Sequence, residues 1–315
     1  MPSIKVLAKR EEERGPRFTG GHSLCAGCAE PMIVRTVLNA IEDPVVVASP
    51  TGCLEVASSR YPTTAWNVPW IHSAFENAAA TIAGVEAAYK ALSRKGKVTK
   101  KIRFVVFGGD GGTYDIGLQA LSGALERGHD FLYVVLDNEA YMNTGVQRSS
   151  ATPRCAHATT SPAGSVVPGK PQDRKDLTEI VVAHHVPYVA QASVSHLIDL
   201  ANKVERAMQY EGPKFINVLS TCPLGWRVPP DSAVNVAKLA VETCCWPLYE
   251  VVEGVYKITY KPKEKLPIEK WLEPQGRFRH LFRPEKREDI IRELQEAVDR
   301  HWEELLRKER CTQGG

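Results

Sequence analysis

Four of the eight cysteines stand where a ligand set would stand. Cys25 and Cys28 form a Cys-Ala-Gly-Cys pair, Cys53 closes Pro50-Thr51-Gly52-Cys53, and Cys222 lies in Ser220-Thr221-Cys222-Pro223. Between the last two falls Gly108-Gly109-Asp110-Gly111-Gly112, directly after an apolar run. Thiolates bind metals, and glycines let a backbone approach a phosphate closely. The combination points to a redox enzyme that uses a metal centre and a diphosphate cofactor.

The glycine segment is not Gly-x-Gly-x-x-Gly opening a Rossmann unit, and no Gly-Lys-Ser/Thr follows to make it a P-loop. Asp110 puts a carboxylate where a bare phosphate would be repelled. A divalent cation between the two removes the conflict, and Mg²⁺ commonly combines one or two protein groups with phosphate oxygens. Asn138, 28 residues on and at the next strand end, offers a second oxygen. The competing reading is a tight turn with a capping aspartate. Cys-x-x-Cys alone is shared by zinc ribbons and thioredoxin-like motifs. A second such pair is absent, and the adjacent Cys244 and Cys245 do not replace it. Thiolates from scattered loops, with Cys222 followed by proline, suit a single iron–sulfur cluster held by four cysteines. Cys155, Cys244, Cys245 and Cys311 read as ordinary small hydrophobes or surface thiols.

The elements that must position these groups follow from periodicity. Residues 1–20 read as an irregular arm and 31–41 as a helix. Strands are expected at 44–48, 102–107, 131–136, 188–191 and 215–219, and helices at 73–93, 115–127, 177–185 and 194–210. Residues 149–175, rich in Ser, Thr, Pro and Gly, read as a long functional loop. Strands alternating with helices give an α/β domain with a mainly parallel sheet and helices on both faces. Ligands of such sheets bind beyond the carboxyl ends of the strands. Thr51-Gly52-Cys53, Gly109-Asp110-Gly111, Asn138-Glu139-Ala140 and Thr221-Cys222-Pro223 each follow a strand, so they should gather on one rim. From Gly225 to Pro284 the pattern breaks down, apart from a hairpin over 249–260 turning at Glu253-Gly254. This stretch reads as an extended arm packed on a neighbour, closed by an amphipathic helix over 285–308. The expected division is an arm over 1–20, a cofactor domain over 21–225, and a C-terminal arm and helix over 226–315.

A formal charge of +3 over 315 residues gives no reason to propose nucleic acid or an anionic membrane as partner. The charged N-terminus has no apolar core of a secretory signal, and no apolar stretch reaches the roughly 18–20 residues of a spanning helix. A cytoplasmic location is expected, where metal binding explains clustered cysteines better than disulfides do.

Gly-Asp-Gly followed by Asn at this distance resembles the thiamine diphosphate signature. That resemblance implies Mg²⁺ on Asp110, Asn138 and the carbonyl of Ala140. From about Phe18 to Trp226 the chain resembles the β subunit of 2-oxoacid:ferredoxin oxidoreductases, above all the pyruvate type. The likeness is carried by Gly21-His22, Cys25-Ala26-Gly27-Cys28, Pro50-Thr51-Gly52-Cys53 and Ala65-Trp66-Asn67-Val68-Pro69-Trp70. It continues through Gly109-Asp110-Gly111-Gly112-Thr113-Tyr114-Asp115-Ile116-Gly117 and Asn138-Glu139-Ala140-Tyr141-Met142-Asn143-Thr144-Gly145. It implies the diphosphate-binding half of a thiamine diphosphate fold and a 4Fe–4S cluster on Cys25, Cys28, Cys53 and Cys222. It also implies an asparagine touching substrate at Asn143 and a cofactor-contacting glutamate at Glu30. Thr51, Gly52, Gly109, Gly111 and Gly112 complete the expected cofactor rim.

The implied activity is oxidative decarboxylation of a 2-oxoacid, pyruvate by default, with electrons passing singly through the cluster to ferredoxin. The implied partners are other subunits supplying the pyrimidine-binding half, further clusters and substrate residues, in a dimer of hetero-oligomers. Arg154-Cys155-Ala156-His157 departs from the pyruvate type, and the family's oxalate-cleaving member, which needs no coenzyme A, is the alternative. A non-redox thiamine lyase and a zinc-stabilised binding module also stay open.

Overall fold

The computed structural model describes residues 3–164 and 166–314. Its centre is one eight-stranded sheet in the order β2-β1-β3-β4-β6-β5-β7-β8. The strands are β1 (Val45–Pro50), β2 (Trp70–Ser73), β3 (Arg103–Gly109), β4 (Leu132–Asp137), β5 (Tyr188–Ser193), β6 (Lys214–Leu219), β7 (Leu248–Val252) and β8 (Val255–Tyr260). The first six pair in parallel, and β7 and β8 continue the sheet antiparallel.

β3 and β4 read as unbroken apolar runs because both their faces are covered. Alternate residues feed two cores. Val105, Phe107 and Val134 join one with α2 (Glu30–Ala40), α7 (Leu197–Ala207) and α9 (Ala233–Glu242). Val106, Tyr133 and Val135 join the other with α4 (Ala78–Arg94) and α5 (Leu118–Glu126). The chain leaves β1 toward β2 on one side, and β3 lies on the other. That divergence at the carboxyl ends of parallel strands is where an open α/β sheet offers a crevice.

Several expectations change. The expected irregular arm contains α1 (Ile4–Arg14), while its first two residues lie outside the described set. Only Leu7 of this helix is buried, so it carries no apolar stripe to read. It is tied down by charge instead. Arg14 and Arg17 donate to the carbonyls of Leu38, Asn39 and Ile41 at the C-terminus of α2, the end that favours cations. The helix expected from residue 73 starts at Ala78, because Ser73 ends β2, a strand too short to show a pattern. The glycine segment is no loop before a helix at 115. A π-helical stretch, Gly111–Ile116, opens immediately after Asp110.

The segment after Gly225, expected as an extended arm, is built into the sheet and core of this chain. It holds α9, the sheet strands β7 and β8, α10 (Glu269–Leu272), and finally α11 (Glu288–Gln313). Trp226, Trp271, Phe278 and Leu281 are buried in the first core. β7 hydrogen-bonds to β5, so the sheet runs across the boundary expected at 225. The hairpin at Glu253-Gly254 is present, with both residues at positive φ. No helix among the described residues is long and apolar enough to cross a membrane.

Candidate active site

The carboxyl ends of β1, β3, β4 and β6 bring the four polar segments to one edge. A pocket there is lined by Glu30, Thr51, Gly52, Cys53, the Gly109–Gly112 backbone, Asn138, Ala140 and Asn143. Gly111 must be glycine, since a Cβ there would meet the Tyr141 ring at 2.5 Å. Tyr141 is fixed in turn by its hydroxyl, which donates to Asp115 Oδ2 at 3.0 Å.

Three oxygens converge in this pocket. The Asn138 amide oxygen is set 2.8 Å from the Ala140 carbonyl oxygen and 2.9 Å from Asp110 Oδ1. Turning the amide over would let its NH₂ donate to both, but would give up its contact with Glu30 Oε1 at 3.4 Å. The first setting has a physical reason. Oxygens bound at ~2.0–2.1 Å to an octahedral Mg²⁺ stand about 2.9 Å apart along an edge. The donor set therefore fits a hard divalent cation.

The electrostatics say the same. Burial, then the nearby Asp137, pushes the Asp110 carboxyl well above the usual carboxylate range, while Ser149 Oγ, donating at 2.5 Å, opposes. Burial raises Glu30 to about 7, against the Asn138 amide. Glu30 Oε2 is buried without a partner. Among the described residues no cationic side chain forms an ion pair with either acid, and none is a leading cause of either shift. Both await positive charge or a hydrogen-bond donor from a bound group.

The four cysteines surround the same edge. Cys25 is exposed, and Cys28, Cys53 and Cys222 are half-buried. The Cys25–Cys28 turn closes through Cys28 N–H donating to Cys25 O at 3.0 Å. Its Gly27 has φ +74°, and a Cβ there would sit 2.3 Å from Pro230 O. Gly225 N–H donates to Cys222 Sγ at 3.4 Å. Burial raises the thiols of Cys28, Cys53 and Cys222, the last to about 11, and Glu30 and the neighbouring cysteines add to each rise. Among the described residues no His, Cys, Asp or Glu group is laid out for a single metal ion.

Asn143 lies exposed at the pocket mouth, open to whatever covers it. Thr51 Oγ1 is 3.1 Å from His72 Nε2. Sequence reasoning missed His72 and Ser149, which lie in a short strand and at the start of a polar loop. It also missed a second acidic group beside Asn138. Asp137 accepts from Arg174 at 2.6 Å and from the Tyr114 hydroxyl at 2.5 Å. Glu139 accepts from Arg174 at 2.9 Å and from Arg277 at 2.5 Å. Arg277 lies 3.9 Å over the Trp226 ring, whose Nε1 donates to the Asn138 carbonyl at 2.8 Å.

Arg154-Cys155-Ala156-His157 does not reach the pocket. Cys155 is buried, its N–H donating to Lys170 O at 2.8 Å, and His157 N–H donates to Arg277 O at 2.9 Å.

This fold and edge pocket define a thiamine diphosphate-binding domain, and the family model "Thiamine pyrophosphate enzyme, C-terminal TPP binding domain" matches residues 50–218. Pyruvate synthase subunit PorB of Thermotoga maritima is 53% identical over 99% of this chain and 98% of its own. The Methanocaldococcus jannaschii subunit of the same name is 51% identical over 90% and 94%. Ketoisovalerate oxidoreductase subunit VorB of Pyrococcus abyssi is 44% identical over 91% and 92%. A solved 2-oxoglutarate:ferredoxin oxidoreductase from Magnetococcus marinus, with 2-oxoglutarate, coenzyme A and succinyl-CoA bound, shares the fold. It has a TM-score of 0.54 and 23% identity over 70% of this chain and 79% of that one. The chain belongs to the β subunits of the thiamine diphosphate-dependent 2-oxoacid:ferredoxin oxidoreductases.

Proposed function

We propose that this subunit holds the diphosphate end of the cofactor for oxidative decarboxylation of pyruvate and passes the electrons to a 4Fe–4S cluster of its own. The three-oxygen convergence at Asp110, Asn138 and Ala140 carries the reading. These oxygens would hold Mg²⁺, and the Gly109–Gly112 backbone would meet the diphosphate. When bound, thiamine diphosphate supplies an electron sink for the carbanion left by decarboxylation.

The chain's own residues set up that chemistry. Glu30, with one oxygen unpartnered, accepts a hydrogen bond from the cofactor or takes a proton there. Thr51, steadied by His72, and Gly52 close the rim between cofactor and cluster. Cys25, Cys28, Cys53 and Cys222 hold the cluster, and Asn143 meets the substrate. The pyrimidine half and further clusters come from partner subunits, ferredoxin is the final acceptor, and the complex is a cytoplasmic dimer of hetero-oligomers. Pyruvate rather than oxalate is favoured by the relatives' names and by the position of Arg154–His157 outside the pocket.

The test is ferredoxin reduction by the anaerobically purified complex with pyruvate, 2-oxobutyrate, 2-oxoglutarate or oxalate, each with and without coenzyme A. Pyruvate with coenzyme A should be fastest. Turnover of oxalate without coenzyme A would overturn the substrate assignment.

A further inference from the structure

Met142 stands between the diphosphate pocket and the cysteine edge. It lines the pocket, and its thioether reaches the turn that carries Cys222. A Cβ added at Gly225 would lie 2.1 Å from Met142 Sδ, 2.5 Å from Met142 Cε and 3.5 Å from Cys222 Sγ. Both sulfurs therefore crowd one point, and glycine at 225 leaves the thioether its room. Met142 and Cys222 are both partly buried against the same core.

The backbone fixes Met142 in this place. Tyr141 N–H donates to Gln147 O at 2.9 Å and Gln147 N–H to Tyr141 O at 3.2 Å, which closes a narrow loop. Inside it the Met142 carbonyl accepts from Gly145 N–H at 3.2 Å and from Val146 N–H at 3.4 Å. Cys222 Sγ already accepts one N–H, from Gly225. The unbranched thioether fills the irregular space beside that sulfur with atoms that donate no hydrogen bond.

We propose that Met142 is a positioning residue that packs the wall between cofactor and cluster and keeps water off Cys222 Sγ. The proposal rests on the cluster assigned above to Cys25, Cys28, Cys53 and Cys222. A four-thiolate 4Fe–4S centre gains negative charge on reduction, and water or a hydrogen bond at a sulfur favours that more charged form. A dry sulfur holds the reduction potential low, which lets the centre pass electrons on to a low-potential acceptor.

The test uses the whole complex, handled anaerobically. In cluster-free complex, Met142→Ala should speed iodoacetamide labelling of Cys222 about fivefold or more, while the exposed Cys25 keeps its rate. With the cluster in place, a potentiometric titration followed by electron paramagnetic resonance should show the reduced form favoured about tenfold more, a rise of about 59 mV. Met142→Leu, which refills the space without a polar group, should restore both readings. Met142→Gln keeps the length but brings a donor to the sulfur, so it should raise the potential as alanine does, and it decides the matter if the alanine complex fails to assemble. Unchanged labelling of Cys222, an equal speeding at Cys25, or an unmoved potential would overturn the proposal. Finding no four-iron cluster on this chain in the unsubstituted complex would instead overturn the cluster assignment, and the tuning role with it, whatever the labelling shows.

Discussion

Asp110 and Glu30 stand on one side of Asn138; Asp137 and Glu139 flank it in the chain. All four carboxyls are buried. The flanking pair is neutralised from within, since Arg174 bridges both and Arg277 adds a second bond to Glu139. Tyr114 and the two acids hold the Arg174 guanidinium above its ordinary range against the burial that opposes it. Asp110 and Glu30 have no such partner; burial drives both upward, as it does Asp137, to about 6, where Arg174 opposes it. A few ångströms of backbone thus separate a completed ion-pair network from an incomplete one. The completed network serves the fold, and the incomplete one is where the proposed cofactor site lies.

The contrast can be broken most severely at Asp110. Asp110→Asn should lower retention of thiamine diphosphate by on the order of 100-fold or more, measured as cofactor per purified complex. Cofactor-free protein should melt at the same or a higher temperature, because a buried ionisable carboxyl with no cationic partner has been replaced by a neutral amide. Glu139→Gln should do the reverse. It takes from Arg277 its carboxylate partner and from Arg174 one of two, and should cost about 3–5 kcal/mol of stability, read from denaturant unfolding, and a neutral outcome would erase the distinction.

Gly111→Ala sharpens the comparison at the ligand side. Its Cβ would press on the Tyr141 ring, with a cost of about 1–3 kcal/mol and a weakened cofactor affinity. The smallest effect is expected at Lys170, buried behind the loop and donating to Thr152 O at 2.5 Å. Burial lowers its pKa to about 8, helped by Arg148 and Arg174. Between that value and the ordinary value of ~10.5 the unfolded chain binds the proton and the folded chain does not. Stability relative to Lys170→Met should therefore rise with pH across this window, by about 1–2 kcal/mol after solvent screening. A flat difference in urea midpoints would refute it.

The centre of the parallel sheet was legible because β3 and β4 are continuous apolar runs, and the rim was legible because its glycines, Asp110 and Asn138 each follow one. The cysteines were legible by type, although only the fold brings Cys222 back to Cys25 across the sheet. α1 was hidden because arginines rather than an apolar stripe secure it. The hairpin of β7 and β8 was legible, but its place in the sheet was hidden because its partner, β5, lies far back in the chain. The Arg174–Glu139–Arg277 network was hidden for a related reason: its members lie far apart in sequence and meet only after the C-terminal third has folded.

The bond from Trp226 Nε1 to the Asn138 carbonyl, with Arg277 laid over that indole, bears on how this polypeptide may be trimmed. A cut at Gly225, where the familiar motifs end, would look harmless on paper. It would remove the indole under the Asn138 carbonyl, one of the two arginines on Glu139, and the strands that cover β5. The minimal unit able to present Asp110, Asn138 and Ala140 together therefore extends well past the last cysteine of the rim.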